Sequence, residues 1–193
     1  MPETAVIGLR PHTCWTAAVV LAGPAHAPRV LERRRIVFAE GAERFVFHSA
    51  VKLELAAARG LIETVRGRTE SNAKRGLTDL LESLERMGAA AALAVAPVGR
   101  GPPPGDLEAI LRSRALMRAA EGRFYRDVLA DACRRLGLEV ARPAEHELGP
   151  LLAGRLGIGE PALETRVREL GATLGPPWSQ DQRLAAQAAW LHL

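Results

Sequence analysis

The 193 residues carry 26 Lys+Arg against 22 Asp+Glu, a formal charge of +4, with 48% hydrophobic and 25% charged residues. That composition excludes general disorder, and the length suits one domain over 1–193 that removes roughly 70% of its unfolded surface on folding. The basic excess is nearly all arginine, lysine standing only at positions 52 and 74, so the charge alone assigns no nucleic-acid partner.

Cys14 and Cys133 are the two cysteines. They share no metal-ligand spacing and read as packed thiols of a reducing compartment. No apolar run approaches the eighteen or so residues of a membrane span, and no signal-like segment opens the chain. The expectation is a cytoplasmic protein without a membrane partner.

Three strand-like segments come first: Val6 to Leu9, Cys14 to Ala22 after Arg10-Pro11-His12, and about Arg29 to Phe38 after the turn-forming "GPAHAP". In the third, Arg33-Arg34-Arg35 reads either as a phosphate-contacting stripe or as a charged edge that discourages pairing with another sheet. From about Ser49 to Met87 the period becomes helical, with Ala73, Leu77, Leu80, Leu81, Leu84 and Met87 at spacings of three and four. The segment reads as one long helix or as two with a break near Gly67, and Gly88 ends it.

"AAAALAVAPVG", Ala89 to Gly99, reads as a strand buried on both sides. The prolines of "GRGPPPG" continue neither strand nor helix. Asp106 caps a helix to about Leu136 that places Ile110, Met117, Phe124, Val128 and Cys133 near the core. "LEVARP" is a short strand, and the portion from about Ala144 is helical, with Pro161 early in one helix and Ser179 capping the last. Strands feeding a parallel portion through helical crossovers imply an α/β fold: a mixed five-stranded sheet, a three-stranded antiparallel meander plus parallel strands, with helices on both faces.

This order resembles the ribonuclease H-like superfamily, in detail its Holliday-junction resolvase (RuvC-like) branch. Ile7-Gly8-Leu9-Arg10-Pro11-His12 stands in the frame of that family's first-strand I-G-I-D-P-G motif. "SRALMRAAEGRFYRDVLADACRRLGLEVARP" parallels its helix with a Glu-Gly centre and the following strand. Asp181-Gln182-Arg183-Leu184-Ala185-Ala186 sits where the family has a D-x-x-D pair. The resemblance implies two divalent ions between carboxylates that polarise a scissile phosphate. It also implies that Arg10 stands at one ligand position, that Ala94-Val95-Ala96-Pro97-Val98 offers none, and that Leu184 replaces another. Asp181 alone remains of four, so no metal and no cofactor is expected.

The candidate catalytic groups are therefore Asp181, Glu121 and His12, and the candidate ligand-binding groups Arg10, His12 and Trp178. Each has a plainer alternative. Asp181 suits the first turn of a helix, His12 an exposed turn, Glu121 a polar helix position, and Trp178 a staple against the core instead of a stacking face for a base. An Arg10–Asp181 ion pair in place of metal is the specific expectation. Three functions stay open: a nuclease-like protein without two-metal activity that binds or assembles on nucleic acid, an active nuclease or phosphodiesterase with an altered site, and a subunit for a protein partner or homodimer.

Overall fold

The computed structural model describes residues 1–100 and 105–193, the side chains of Ala42 and Thr173 aside. The expected chain-breaking role of the prolines in "GRGPPPG" falls at 102–104, outside the described residues. β1 (Glu3–Pro11) pairs antiparallel with β2 (Trp15–Ala22), and β2 pairs antiparallel with β3 (Arg29–Val37). β4 (Ala89–Val95) and the short β5 (Glu139–Ala141) add in parallel on the other side of β1, giving the order β3-β2-β1-β4-β5. This is the mixed α/β sheet that the order of segments implied. β1 outruns its apolar core because Glu3 and Thr4 find partners in Ala89 and Ala90, and Pro11 faces Thr16.

Alternation along the strands divides two cores. Ile7, Leu9, Val20 and Ala94 face one, under α2 (Leu55–Arg86) and α4 (Arg114–Arg135). Val6, Val19, Leu21 and Val95 face the other, under α5 (Leu148–Leu156), α6 (Glu160–Leu170) and α7 (Gln180–Trp190). β4 is covered on both faces only from Ala94 onward, Ala90 and Ala92 being exposed. The expectation of full burial from Ala89 is corrected there.

The helical stretch also departs from its expected outline. A short α1 (Val46–Ala50) precedes α2, which then runs unbroken for 32 residues. A Cβ at Gly67 would meet nothing within 4 Å, so that glycine rides the open face and costs only its propensity, about 1 kcal/mol. Met87 is half exposed because it caps the helix beyond its last buried turn. The next helix divides instead into α3 (Leu107–Arg112) and α4. Ser113 between them adopts an extended backbone and its hydroxyl accepts from the Leu116 N–H, the competition with helical bonding that serine offers.

α7 comes closest to the sheet. Ala185, Ala186, Ala188 and Ala189 are fully buried, and a Cβ added at Gly8 of β1 would stand 1.8 Å from the Ala185 carbonyl oxygen. Backbone rests on backbone. Ser179 starts α7 with a capping box closed by Gln182, and the Trp190 indole N–H donates to the Ala25 carbonyl at 2.7 Å.

Two outcomes test this packing. Gly8→Ala is expected to cost at least about 3 kcal/mol, because neither backbone can yield to the added methyl; a thermal melt unchanged from the parent would refute the contact. Cys133 is fully buried, and burial pushes its thiol from 9.0 up to about 12. A folded pKa raised above the unfolded one gives stability that is complete below pH 9 and is lost as pH rises toward 12. In the folded protein at pH 8 Cys133 should resist alkylation, read by intact mass, and react once denaturant is added.

Candidate functional site

The C-terminal ends of β1 and β4 meet the start of α7 at one edge of the sheet. There a tight hairpin joins β1 to β2, with His12 N–H donating to the Trp15 carbonyl at 2.8 Å. Cys14 closes the turn in the left-handed region, φ 69°, the geometry of a three-residue hairpin loop. His12 is thereby held at the tip, its ring stacked on Trp15 at 4.2 Å with planes 7° apart. On Trp15 also lies the Arg35 guanidinium, 4.1 Å from the ring centroid.

Arg10 does not pair with Asp181. Its guanidinium lies 3.1 Å from the Glu145 carboxylate and donates to the Pro11 carbonyl at 2.9 Å. Asp181 instead takes His12, with Nε2 and Oδ1 2.7 Å apart. The expected pair is corrected for a geometric reason. Strand alternation sends Arg10 to the α7 face with Val6 and Gly8, but Glu145, in the turn just after β5, reaches it there, while the hairpin carries His12 over the α7 N-terminus. Two polar contacts stand where one ion pair was expected.

Glu121 belongs elsewhere. It is 3% exposed on α4, which covers the opposite face of the sheet, and its carboxylate lies 3.0 Å from His48 Nδ1. One turn on, Tyr125 donates to the Glu43 carbonyl; burial, with Glu121 next, raises its phenol well above the ordinary range. The structure thus brings His12 and Asp181 together and sets Glu121 apart. Trp178 packs on the α5–α7 core, its indole N–H donating to Val167 at 2.9 Å, and its ring fills the space a Cβ at Gly171 would need. The arginine stripe of β3 has its own work: Arg33 donates to the carbonyls of Leu174, Gly175, Pro176 and Pro177, and Arg34 pairs with Glu32.

Beyond β4 the edge becomes strongly basic. Arg118, Arg123 and Arg126 of α4, Arg142 after β5 and Arg100 after β4 line a cavity of about 350 Å³ with Asp127. Arg142 pairs with Asp127 at 2.8 Å, and Arg126 donates to the Gly122 carbonyl at 3.1 Å. Burial lowers the Arg126 pKa, and Arg10 and Arg142 act in the same direction against Glu145 and Asp127. None of Glu145, Arg126 and Arg142 stood out in the sequence. A signal existed: Arg118, Gly122 and Arg126 repeat at four, the spacing of one helical face.

Among the described residues no group of three or more His, Cys, Asp or Glu side chains converges as metal ligands would. No helix there is long and apolar enough to cross a membrane.

No family model matches the sequence, and no curated protein matches it. Solved structures do match. Thermus thermophilus RuvC in complex with a Holliday-junction substrate superposes with a TM-score of 0.55 at 15% identity, over 98% of this chain and 92% of that one. A second structure of Thermus thermophilus RuvC gives 0.52 at 15% identity, over 97% and 92%. The likeness establishes the fold, ribonuclease H-like and similar to RuvC.

The Arg10–Glu145 contact has side chains only 17% and 25% exposed, so it should count for more than a surface pair. Glu145→Ala is expected to cost about 2–3 kcal/mol, more than Arg10→Ala, because it leaves two neighbouring cations without their shared counter-charge. Denaturant melts of both singles and the double should give a coupling above about 1 kcal/mol, whereas Arg10→Ala with Asp181→Ala should add within about 0.5 kcal/mol. Additivity of Arg10 with Glu145 would refute the pairing.

Proposed function

We propose that this chain binds nucleic acid through the arginine-rich edge of a ribonuclease H-like sheet and does not cleave it by a two-metal mechanism. The observation that carries the reading is Arg10 paired with Glu145 at the end of β1. In the resembling nucleases that strand end supplies a carboxylate to a pair of divalent ions. Here it presents a cation, its nearest carboxylate is engaged by that cation, and Asp181 is engaged by His12. Hard ions require several free oxygen ligands, and a guanidinium repels them. The donor set does not fit two ions.

Phosphate is what such an edge attracts. Arg10, Arg100, Arg118, Arg123, Arg126 and Arg142 stand around the ends of β1, β4 and β5. Guanidinium forks match phosphate oxygens, and the RuvC of similar fold is described in complex with a Holliday-junction substrate. His12, stacked on Trp15 and hydrogen-bonded with Asp181, stands beside the same strand end.

Fluorescence anisotropy with a four-way junction, a duplex and a single strand tests this. Binding should weaken steeply between about 50 and 200 mM salt, and Arg118→Glu with Arg123→Glu should flatten the salt slope by roughly two phosphate contacts. No binding to any of the three would refute the reading in favour of a protein-interaction subunit. A second reading rests on the His12–Asp181 contact alone, an imidazole oriented by a carboxylate as a general base is. Cleavage of any substrate with magnesium or manganese, abolished in His12→Ala, would replace the non-cleaving reading with that one.

A further inference from the structure

Most of the basic edge consists of open surface, but the cavity between α4, the end of β4 and the end of β5 is a pocket. Five guanidinium groups and one carboxylate stand among the described residues that line it. The carboxylate, Asp127, is already shared by Arg142 at 2.8 Å and Arg123 at 3.3 Å. Arg126 and Arg142 each keep a buried Nε with no hydrogen-bond partner, which is costly unless something accepts from it.

The wall of the pocket is shaped around Arg126. A Cβ at Gly99 would come within 3.3 Å of its guanidinium carbon, and one at Gly122 within 3.1 Å of Nη1. Two glycines therefore leave room for the guanidinium between the β4 exit and α4. It is partly buried, and burial lowers its pKa, with the neighbouring arginines adding to the effect. Concentrating like charges in a partly desolvated pocket is unfavourable for the protein alone. A bound anion removes that penalty.

We infer that this pocket takes a phosphate monoester, presented either by the terminal phosphate of a nucleic-acid strand or by a mononucleotide. A diester within a strand carries one charge and leaves two oxygens free. A monoester carries about −1.5 to −2 near neutral pH and offers three terminal oxygens. The excess of cations over carboxylates in the pocket matches the second, and cations converging from three elements suit a group that enters by its end. The strand-end form rests on the nucleic-acid reading above; the mononucleotide form does not.

The test measures anisotropy of labelled single strands bearing a 5′-phosphate, a 3′-phosphate or neither, and calorimetry with adenosine monophosphate and inorganic phosphate. The parent protein should prefer a phosphorylated end by about tenfold, the equivalent of one lost charge-assisted contact. Arg126→Gln and the surface-exposed Arg118→Gln should bring that preference near unity, the unphosphorylated strand being weakened equally with the phosphorylated ones once the preference is gone. Arg118→Gln keeps the test valid if Arg126→Gln fails to fold, as a thermal melt would report. Equal affinity for all three strands, with no uptake of the nucleotide or of phosphate, overturns the monoester pocket and leaves nucleic-acid binding standing. Uptake of the nucleotide with no strand bound supports the pocket and overturns the nucleic-acid reading.

Discussion

The contact on which the edge depends is the seating of α7 directly on the backbone of β1. Gly8 has no Cβ, and the four buried alanines of α7 let its axis approach until the Ala185 carbonyl occupies the place a side chain would take. Glycine and alanine are chosen here for what they lack. The consequence is positional, because a helix seated that closely cannot slide without clashing with the strand. Its N-terminus, fixed by the Ser179–Gln182 capping box, is brought beside the β1 hairpin, and Asp181 in the first turn meets His12. Trp178, pinned by Val167 and Gly171, fixes the approach to that turn, and Arg33 of β3 ties the preceding carbonyls to the far edge of the sheet.

Given that placement, the charges at the strand ends must be balanced within the protein or by a ligand. On the α7 side they are met within the protein, the Arg10 cation by Glu145 and the Asp181 carboxylate by its contact with the His12 ring. Beyond β4 they are not, since Asp127 is outnumbered. Glu145 sits between the two regions, pairing with Arg10 while also opposing the lowered pKa of Arg126. It links a neutralised strand end to a cationic pocket, so a change at Glu145 is felt in both.

The layered fold was legible because its signals are local. The apolar run of β2, the three-and-four spacing of α2, the left-handed Gly88 and the cap at Ser179 each act over a few residues, and each appears in the structure. The site was only half legible. Arg10 and Asp181 could be singled out in the sequence as charged groups at a strand end and a helix start, but which partner each would meet depends on contacts across more than a hundred residues. Glu145 lies in "AEHELG", which reads as nothing more than an acidic start to a helix, and only the exit of β5 carries it to Arg10. His12 and Asp181 are separated by 169 positions. The break at Ser113 went unseen because a single serine in a helical pattern is usually tolerated, and here tertiary packing gave its hydroxyl the capping role.

The orientation of the arginine pocket follows from a different set of contacts, on the inner side of α4. The carboxylate of Glu121 is held by His48, and the phenol of Tyr125, one turn later, donates to the Glu43 backbone. Both side chains are almost wholly buried, so these polar bonds cannot be exchanged for water and the helix cannot rotate away from them. Successive residues on a helix differ by about 100°. Fixing 121 and 125 therefore fixes 118, 122 and 126 on the adjoining face, which is the face turned to β4 and β5. The buried acid and phenol are thus positioning groups for the arginines next to them in sequence. That explains why α4 carries Glu121 inside and Arg126 at the cavity without either charge meeting the other: the core side of the helix sets its angle, and the angle presents the cations.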